Sequence, residues 1–198
     1  MLRHEQRFIR LRRMSLLLDV VKIICIAVVI VACVRLFIAQ PFIVSGDSMV
    51  PTFKSNDYLI IDELSYLLHK PQRGDIIIFH YPLDPSTYFI KRLIGLPGDT
   101  VIVSNGSVFV QSSNLTERLL TEPYIRAEYP KIESGTTTLG ADEYFVLGDN
   151  RNSSYDSRVW GPVPGRYIVG RVLVRVFPFS RATVFKHASG ATSTVVDY

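Results

Sequence analysis

Cysteine is almost missing from this chain of 198 residues: there are two, Cys25 and Cys33. Both fall inside one apolar stretch, and residues 40–198 hold none. That excludes a thiol nucleophile from everything after the stretch and argues against zinc. Eight apart, the two cysteines match neither a redox nor a metal spacing and read as packing residues. Histidine is scarce as well, and His4, His69, His80 and His187 show no ligand spacing. His80 closes an apolar run before Tyr81-Pro82 and reads as a structural hydrogen bonder. No phosphate-cradling glycine pattern occurs, and "GLPGD" is a turn. No metal and no cofactor is expected. A basic face is lacking too. The net charge is +4, but Arg3, Arg7, Arg10, Arg12 and Arg13 against Glu5 account for all of it. The rest is formally neutral, which leaves no footprint for nucleic acid.

What is present begins with "LLLDVVKIICIAVVIVACVRLFIA", residues 16–39. As a helix of about 1.5 Å per residue it spans roughly 36 Å, enough for a hydrocarbon core of about 30 Å. The uncharged centre is short, so Lys22 and Arg35 sit near the interfaces and snorkel outward. The apolar residues run all round rather than along one stripe, unlike a core helix. The stretch is also longer than the apolar region of a cleavable signal peptide. The expectation is a basic cytoplasmic N-terminus at 1–15 and a single-pass anchor in the lipid bilayer at 16–40. The remainder then lies outside the cell membrane, by the excess of arginine before the span.

After residue 40 the texture changes to short apolar runs broken by Gly, Pro, Asn and Asp. Residues 58–62, 75–81, 88–95, 100–110, 143–149 and 167–177 read as strands. Asn105-Gly106 between β-branched runs predicts a tight hairpin. Outside the anchor, helical periodicity is confined to 62–70. The predicted fold class is therefore mainly β: one transmembrane helix followed by a mostly antiparallel sheet domain over 41–185. Residues 111–140 are polar and unpatterned and read as an excursion, and 186–198 as a tail.

With thiols, metals and histidine ligands set aside, a serine served by a lysine base comes forward. An ordinary lysine titrates near 10.4 and is an ammonium at working pH, but burial depresses that value. In "YFIKRLIG" alternate residues share a face, which places Lys91 with Phe89 and Leu93, and Arg92 with Ile90 and Ile94. A lysine in a strand also reads as a snorkelling edge residue, and periodicity alone does not separate the two. The loop "GDNRNSSYDSR", 148–158, reads as a hydrogen-bonded polar turn in which Asp156 and Arg158 are spaced to pair, or as a loop that orients a hydroxyl toward the base. "SGDSMVPT", 45–52, follows the span so closely that Ser48 is at most roughly 28 Å of extended chain from Gln40.

Together "SGDSMVPT" (45–52), "RGDIIIF" (73–79), "FIKRLIGLPGD" (89–99) and "GDNRNSSYDSR" (148–158) resemble the four ordered boxes of bacterial type I signal peptidases. The short length and single N-terminal anchor are similar to the compact Gram-positive type. The resemblance implies a membrane-bound serine endopeptidase that removes signal peptides from exported preproteins after Ala-x-Ala-like sites. It assigns Ser48 as nucleophile, Lys91 as general base and Ser154 as the serine that hydrogen-bonds the lysine. Asp149, Asp156 and Arg158 take supporting positions, and Met49 and Pro51 stand where substrate is expected. Some members carry a serine two places before the nucleophile as an oxyanion donor. Here that place is Gly46, which leaves the Ser48 backbone N–H. Preproteins, the bilayer and the export machinery are the implied partners. Two rivals differ from this reading. A self-cleaving repressor-type peptidase would be cytoplasmic, and a non-catalytic tethered β-domain would have no need of both Ser48 and Lys91.

Overall fold

The run Ile76-Ile77-Ile78-Phe79 is apolar at every position, the pattern of a strand covered on both faces. In the structure, a computed structural model that describes residues 17–29, 40–112, 118–125 and 134–185, this run is the heart of a strand over Ile76–Tyr81. All four side chains are buried. Ile76 joins a cluster with Val44, Met49, Phe53, Leu59 and Val172. Ile77 and Phe79 join Leu93, Tyr144, Val146 and Val163 on the other side.

The chain divides into two units, Met1–Ala39 and Gln40–Tyr198, each described by itself. Of the first, residues 17–29 form a helix, α1, whose side chains are exposed throughout. Among the described residues no helix is long and apolar enough to cross a membrane. The expected span runs on into 30–39, which with the basic 1–15 and the tail 186–198 lies outside the described residues.

The second unit carries twelve described strands: β1 (Gln40–Ile43), β2 (Tyr58–Asp62), β3 (Ile76–Tyr81), β4 (Asp84–Gly95), β5 (Thr100–Ser104), β6 (Ser107–Gln111), β7 (Arg118–Leu119), β8 (Gly135–Thr138), β9 (Glu143–Leu147), β10 (Val163–Pro164), β11 (Ile168–Phe177) and β12 (Thr183–Val184). Two short helices, α2 (Leu64–Leu68) and α3 (Ser157–Trp160), interrupt them. The larger sheet has the order β1-β2-β11-β3-β4-β9-β10, with β12 also on β11, and the smaller β7-β6-β5-β8. Neighbours throughout the larger sheet are antiparallel, as they are in the smaller one. A third cluster, including Ile94, Val101, Val108, Phe145 and Leu147, packs the end of β4 and β9 on the β5–β6 hairpin.

All six expected runs form strands, some with shifted ends, and 100–110 forms two. The hairpin turns at Asn105 and Gly106, with φ of 47° and 80°, as a two-residue turn demands. β4 begins four residues earlier than the sequence suggests, because Asp84 pairs with Tyr81 across a tight turn. The unpatterned 111–140 is less of an excursion than expected: it supplies both edges of the smaller sheet, β7 on β6 and β8 on β5. Two- and four-residue edge strands carry too few side chains to show a period of two. The box segments 73–79 and 89–99 are tied together by Arg73, whose guanidinium pairs with Asp99 at 2.8 Å. Asp99 also accepts from the Leu96 N–H at 2.7 Å.

Candidate active site

Strand β4 presents adjacent residues to opposite faces, and Lys91 and Arg92 use this to serve two different partners. Lys91 is 4% exposed. Its Nζ lies 2.7 Å from Ser48 Oγ and donates to the Ile90 carbonyl at 3.0 Å, over the Phe89 ring at 5.2 Å. Burial lowers its pKa from the ordinary range to about 8, against the opposing pull of Asp156 and Asp149. Neutral lysine is therefore within reach at moderate pH, which is what a hydroxyl's proton acceptor requires. The face shared with Phe89 is the one the alternation predicted.

Arg92 turns the other way and grips Asp149 with two parallel bonds, Nε–Oδ1 at 2.8 Å and Nη2–Oδ2 at 2.7 Å. Its remaining nitrogen donates to the Gly74 carbonyl at 3.0 Å. Asp149 also accepts from the Thr52 hydroxyl, so the strand, the carboxylate of the loop 148–158 and the segment after Ser48 form one connected set. Sequence reasoning passed over Arg92. The available signal was a second charge on an apolar strand face, since a buried charge needs a partner.

The loop 148–158 is held by its own charges. Asp156 caps α3 and accepts from the Gly148 N–H at 3.0 Å and from Arg158 Nε at 2.7 Å, the local pair that the spacing predicted. Arg158 reaches on to the Arg151 carbonyl at 2.8 Å. Asn150 then clamps the segment that carries Ser48: its N–H donates to the Ser48 carbonyl at 2.9 Å and its side-chain amide to the Asp47 carbonyl at 3.1 Å.

The remaining residues singled out from the sequence are placed as follows. The Ser154 hydroxyl does not bond to Lys91. Its Oγ is buried without a hydrogen-bond partner among the described residues and occupies the space that a Cβ on Gly148 would take. Met49 is buried in the core, where an apolar side chain gains about 1.5–3 kcal/mol, and neither it nor Pro51 lines the cleft beside Ser48. Gly46 has φ of 91°, a region that favours glycine. Its N–H already donates to Ser55 Oγ at 2.9 Å, so that amide is engaged, whereas the Ser48 N–H is in no hydrogen bond of the described residues.

The cleft itself holds about 330 Å³ and is lined by Phe42, Ile43, Val44, Ser45, Tyr88, Phe89, Ile90 and Tyr155 around Ser48 and Lys91. One wall is β1, at the edge of the sheet; another is the part of β4 before Arg92, which pairs with β3 on one side only. Among the described residues no cluster of three or more His, Cys, Asp or Glu is placed to hold a metal.

Gly148 has no room for a side chain. A Cβ built there lies 2.2 Å from Ser154 Oγ and 2.5 Å from the Ser48 carbonyl oxygen. Gly148→Ala is expected to push Ser48 off Lys91 and lower kcat by about a hundredfold, the usual order for a displacement of 1 Å. Steady-state kinetics on folded protein checks this. An unchanged kcat would mean that the loop yields without moving Ser48.

A family model, "Signal peptidase, peptidase S26", matches residues 17–177. The chain is 41% identical over 174 residues to a signal peptidase I of Leptolyngbya laminosa, covering 84% of this chain and 83% of that protein. It is 37% identical over 169 residues to a signal peptidase I of Bacillus caldolyticus, covering 79% and 89%. A solved signal peptidase I from Enterococcus faecalis aligns with 52% of this chain and 97% of that chain, at 33% identity and a TM-score of 0.44.

Proposed function

The chain belongs to the S26 family of signal peptidases, serine endopeptidases that remove signal peptides from secreted preproteins, and we propose that it does so with Ser48 as nucleophile and neutral Lys91 as base. The observation that carries this reading is the 2.7 Å approach of a buried, pKa-lowered amine to a hydroxyl in a cleft.

The cleavage region enters as an extended strand between the free edges of β1 and β4, held by backbone hydrogen bonds. The cleft is small, which supports Ala-x-Ala-like sites. Lys91 takes the Ser48 proton as Oγ attacks the carbonyl, and the ammonium is steadied by Asp156 and Asp149. The oxyanion meets the Ser48 N–H, a kind of donor worth roughly 3–4 kcal/mol. Lys91 gives its proton to the leaving amine, then takes one from water as the acyl-enzyme is hydrolysed. Arg92, Asn150 and the Asp156–Arg158 pair hold the geometry. The apolar stretch at 16–40 anchors the enzyme in the cell membrane with the peptidase unit outside, where preproteins emerge from the export machinery.

The test is cleavage of a preprotein by the full chain in detergent, with the product N-terminus read by mass spectrometry and the rate followed from pH 5.5 to 10. An ammonium accepts no proton, so kcat/KM is expected to rise about tenfold per pH unit and level off near 8, the value to which burial lowers Lys91. A profile flat from pH 6 to 9 would remove Lys91 as base.

A further inference from the structure

The catalytic loop is braced from outside by a segment with no catalytic-looking pattern, "TEPYI" at 121–125. Leaving β7, the chain is fixed by the Leu120 N–H on the Val108 carbonyl at 2.9 Å and turns between Glu122 and Ile125. Glu122 then meets Arg151 with both carboxylate oxygens, Oε2 at 3.0 Å from Nη1 and Oε1 against Nη2. The two side chains are 9% and 2% exposed. Arg151 in turn donates to the Gly148 carbonyl at 3.1 Å. Tyr124 donates from its hydroxyl to Glu122 Oε1 at 2.7 Å and lays its ring 3.8 Å from the Arg92 guanidinium carbon. One four-residue turn thus touches both arginines that hold the loop: Arg92 on Asp149, and Arg151 on Gly148.

We propose that Glu122 and Tyr124 are positioning residues of the peptidase reaction, a brace from the smaller sheet that keeps the Gly148–Asp149 corner aligned with Lys91 and Ser48. Edge-on, every Arg92 nitrogen is engaged by Asp149 or the Gly74 carbonyl. The face of the guanidinium is left, and the Tyr124 ring covers it. A covered arginine pairs more strongly with its carboxylate because water is kept from the pair. Burial, and next the Glu122 carboxylate, hold the Tyr124 hydroxyl above its ordinary range, so it remains a donor. The charges that bear on Lys91 are Asp156, neutralised by Arg158, and Asp149, neutralised by Arg92. Uncovering Arg92 loosens its hold on Asp149 and admits water. Both changes favour the Lys91 ammonium, so the activity limb moves to higher pH.

This inference rests on the Ser48–Lys91 reading, and the experiment separates the two. Full-length wild type, Tyr124→Leu, Tyr124→Phe, Glu122→Gln and Lys91→Met are compared for preprotein cleavage in detergent, with melting curves for each. Tyr124→Leu is expected to lose roughly tenfold to a hundredfold in kcat, with KM within about twofold because no substrate contact is removed, and its pH limb moves alkaline. Tyr124→Phe keeps the ring and is expected to restore kcat and limb. Glu122→Gln, which leaves Arg151 facing an amide, is expected to lower kcat in the same sense and carries the test if Tyr124→Leu does not fold. Wild-type kcat and limb in folded Tyr124→Leu, or Tyr124→Phe as impaired as Tyr124→Leu, would overturn the brace. If Lys91→Met cleaves normally, the dyad reading itself falls instead.

Discussion

Ser48→Ala is expected to abolish preprotein cleavage, with a loss of at least about 10⁴-fold in kcat, as for other serine nucleophiles, or roughly 5 kcal/mol of transition-state stabilisation. The change removes the proposed attacking atom and almost nothing else. Ser48 is half-buried, its carbonyl stays with Asn150, and the Thr52–Asp149 bond is untouched. The variant should therefore melt near wild type and still bind a preprotein. It loses the hydroxyl facing Lys91 Nζ. Quantified cleavage in detergent, with a melting curve on the same sample, checks both halves. Equal activity would dismiss Ser48 as nucleophile.

Lys91→Met is expected to cost about 10³-fold or more in kcat, near the upper range of general-base effects. Methionine fills similar space against Phe89 but takes no proton. The same variant carries a stability signature of definite sign. In the unfolded chain the lysine keeps its proton up to the ordinary range, whereas in the folded chain burial releases it near 8. Between about pH 8 and 10.5 the unfolded state binds more protons, so wild-type stability rises with pH relative to the variant. The gain is at most about 1.4 kcal/mol per pH unit. Below 8 both states are protonated and the difference is constant. Denaturant midpoints of the two proteins at pH 7 and 9.5 measure this. A difference that does not change would mean that Lys91 is solvated, contrary to its burial.

Much of the site was readable in advance because its parts are local. Alternation placed Lys91 on the face of Phe89 without separating a base from a snorkelling edge residue, a choice that only the box resemblance made, and the Asp156–Arg158 pair spans two residues. The hairpin at Asn105-Gly106 follows from backbone conformations that those two residues tolerate. The four boxes are compact segments, and each keeps its chemistry within about eleven residues of sequence.

What failed to show are contacts made across the fold. Arg92 meets Asp149 over 57 positions, and Arg151 meets Glu122 over 29. Asn150 reaches Asp47 over 103. Ser154 illustrates the limit from the other side: its box position was recognised, but its hydroxyl rests on Gly148 rather than on the amine. Met49, for which the sequence offered either a place near substrate or one in the core, is directed by the turn into the core.

By itself the sequence determined a mainly β fold, since alternation and turn residues are properties of short segments, and the signal peptidase family, through the resemblance of four ordered boxes that also implies a serine and a lysine as the reactive pair. The tertiary structure alone decided that Lys91 lies 2.7 Å from Ser48 with its pKa lowered, and that Arg92, Asn150, Glu122 and Tyr124 hold the loop beside them. Desolvation and long-range pairing arise only when strand register and loop path bring distant side chains into one place from which water is excluded.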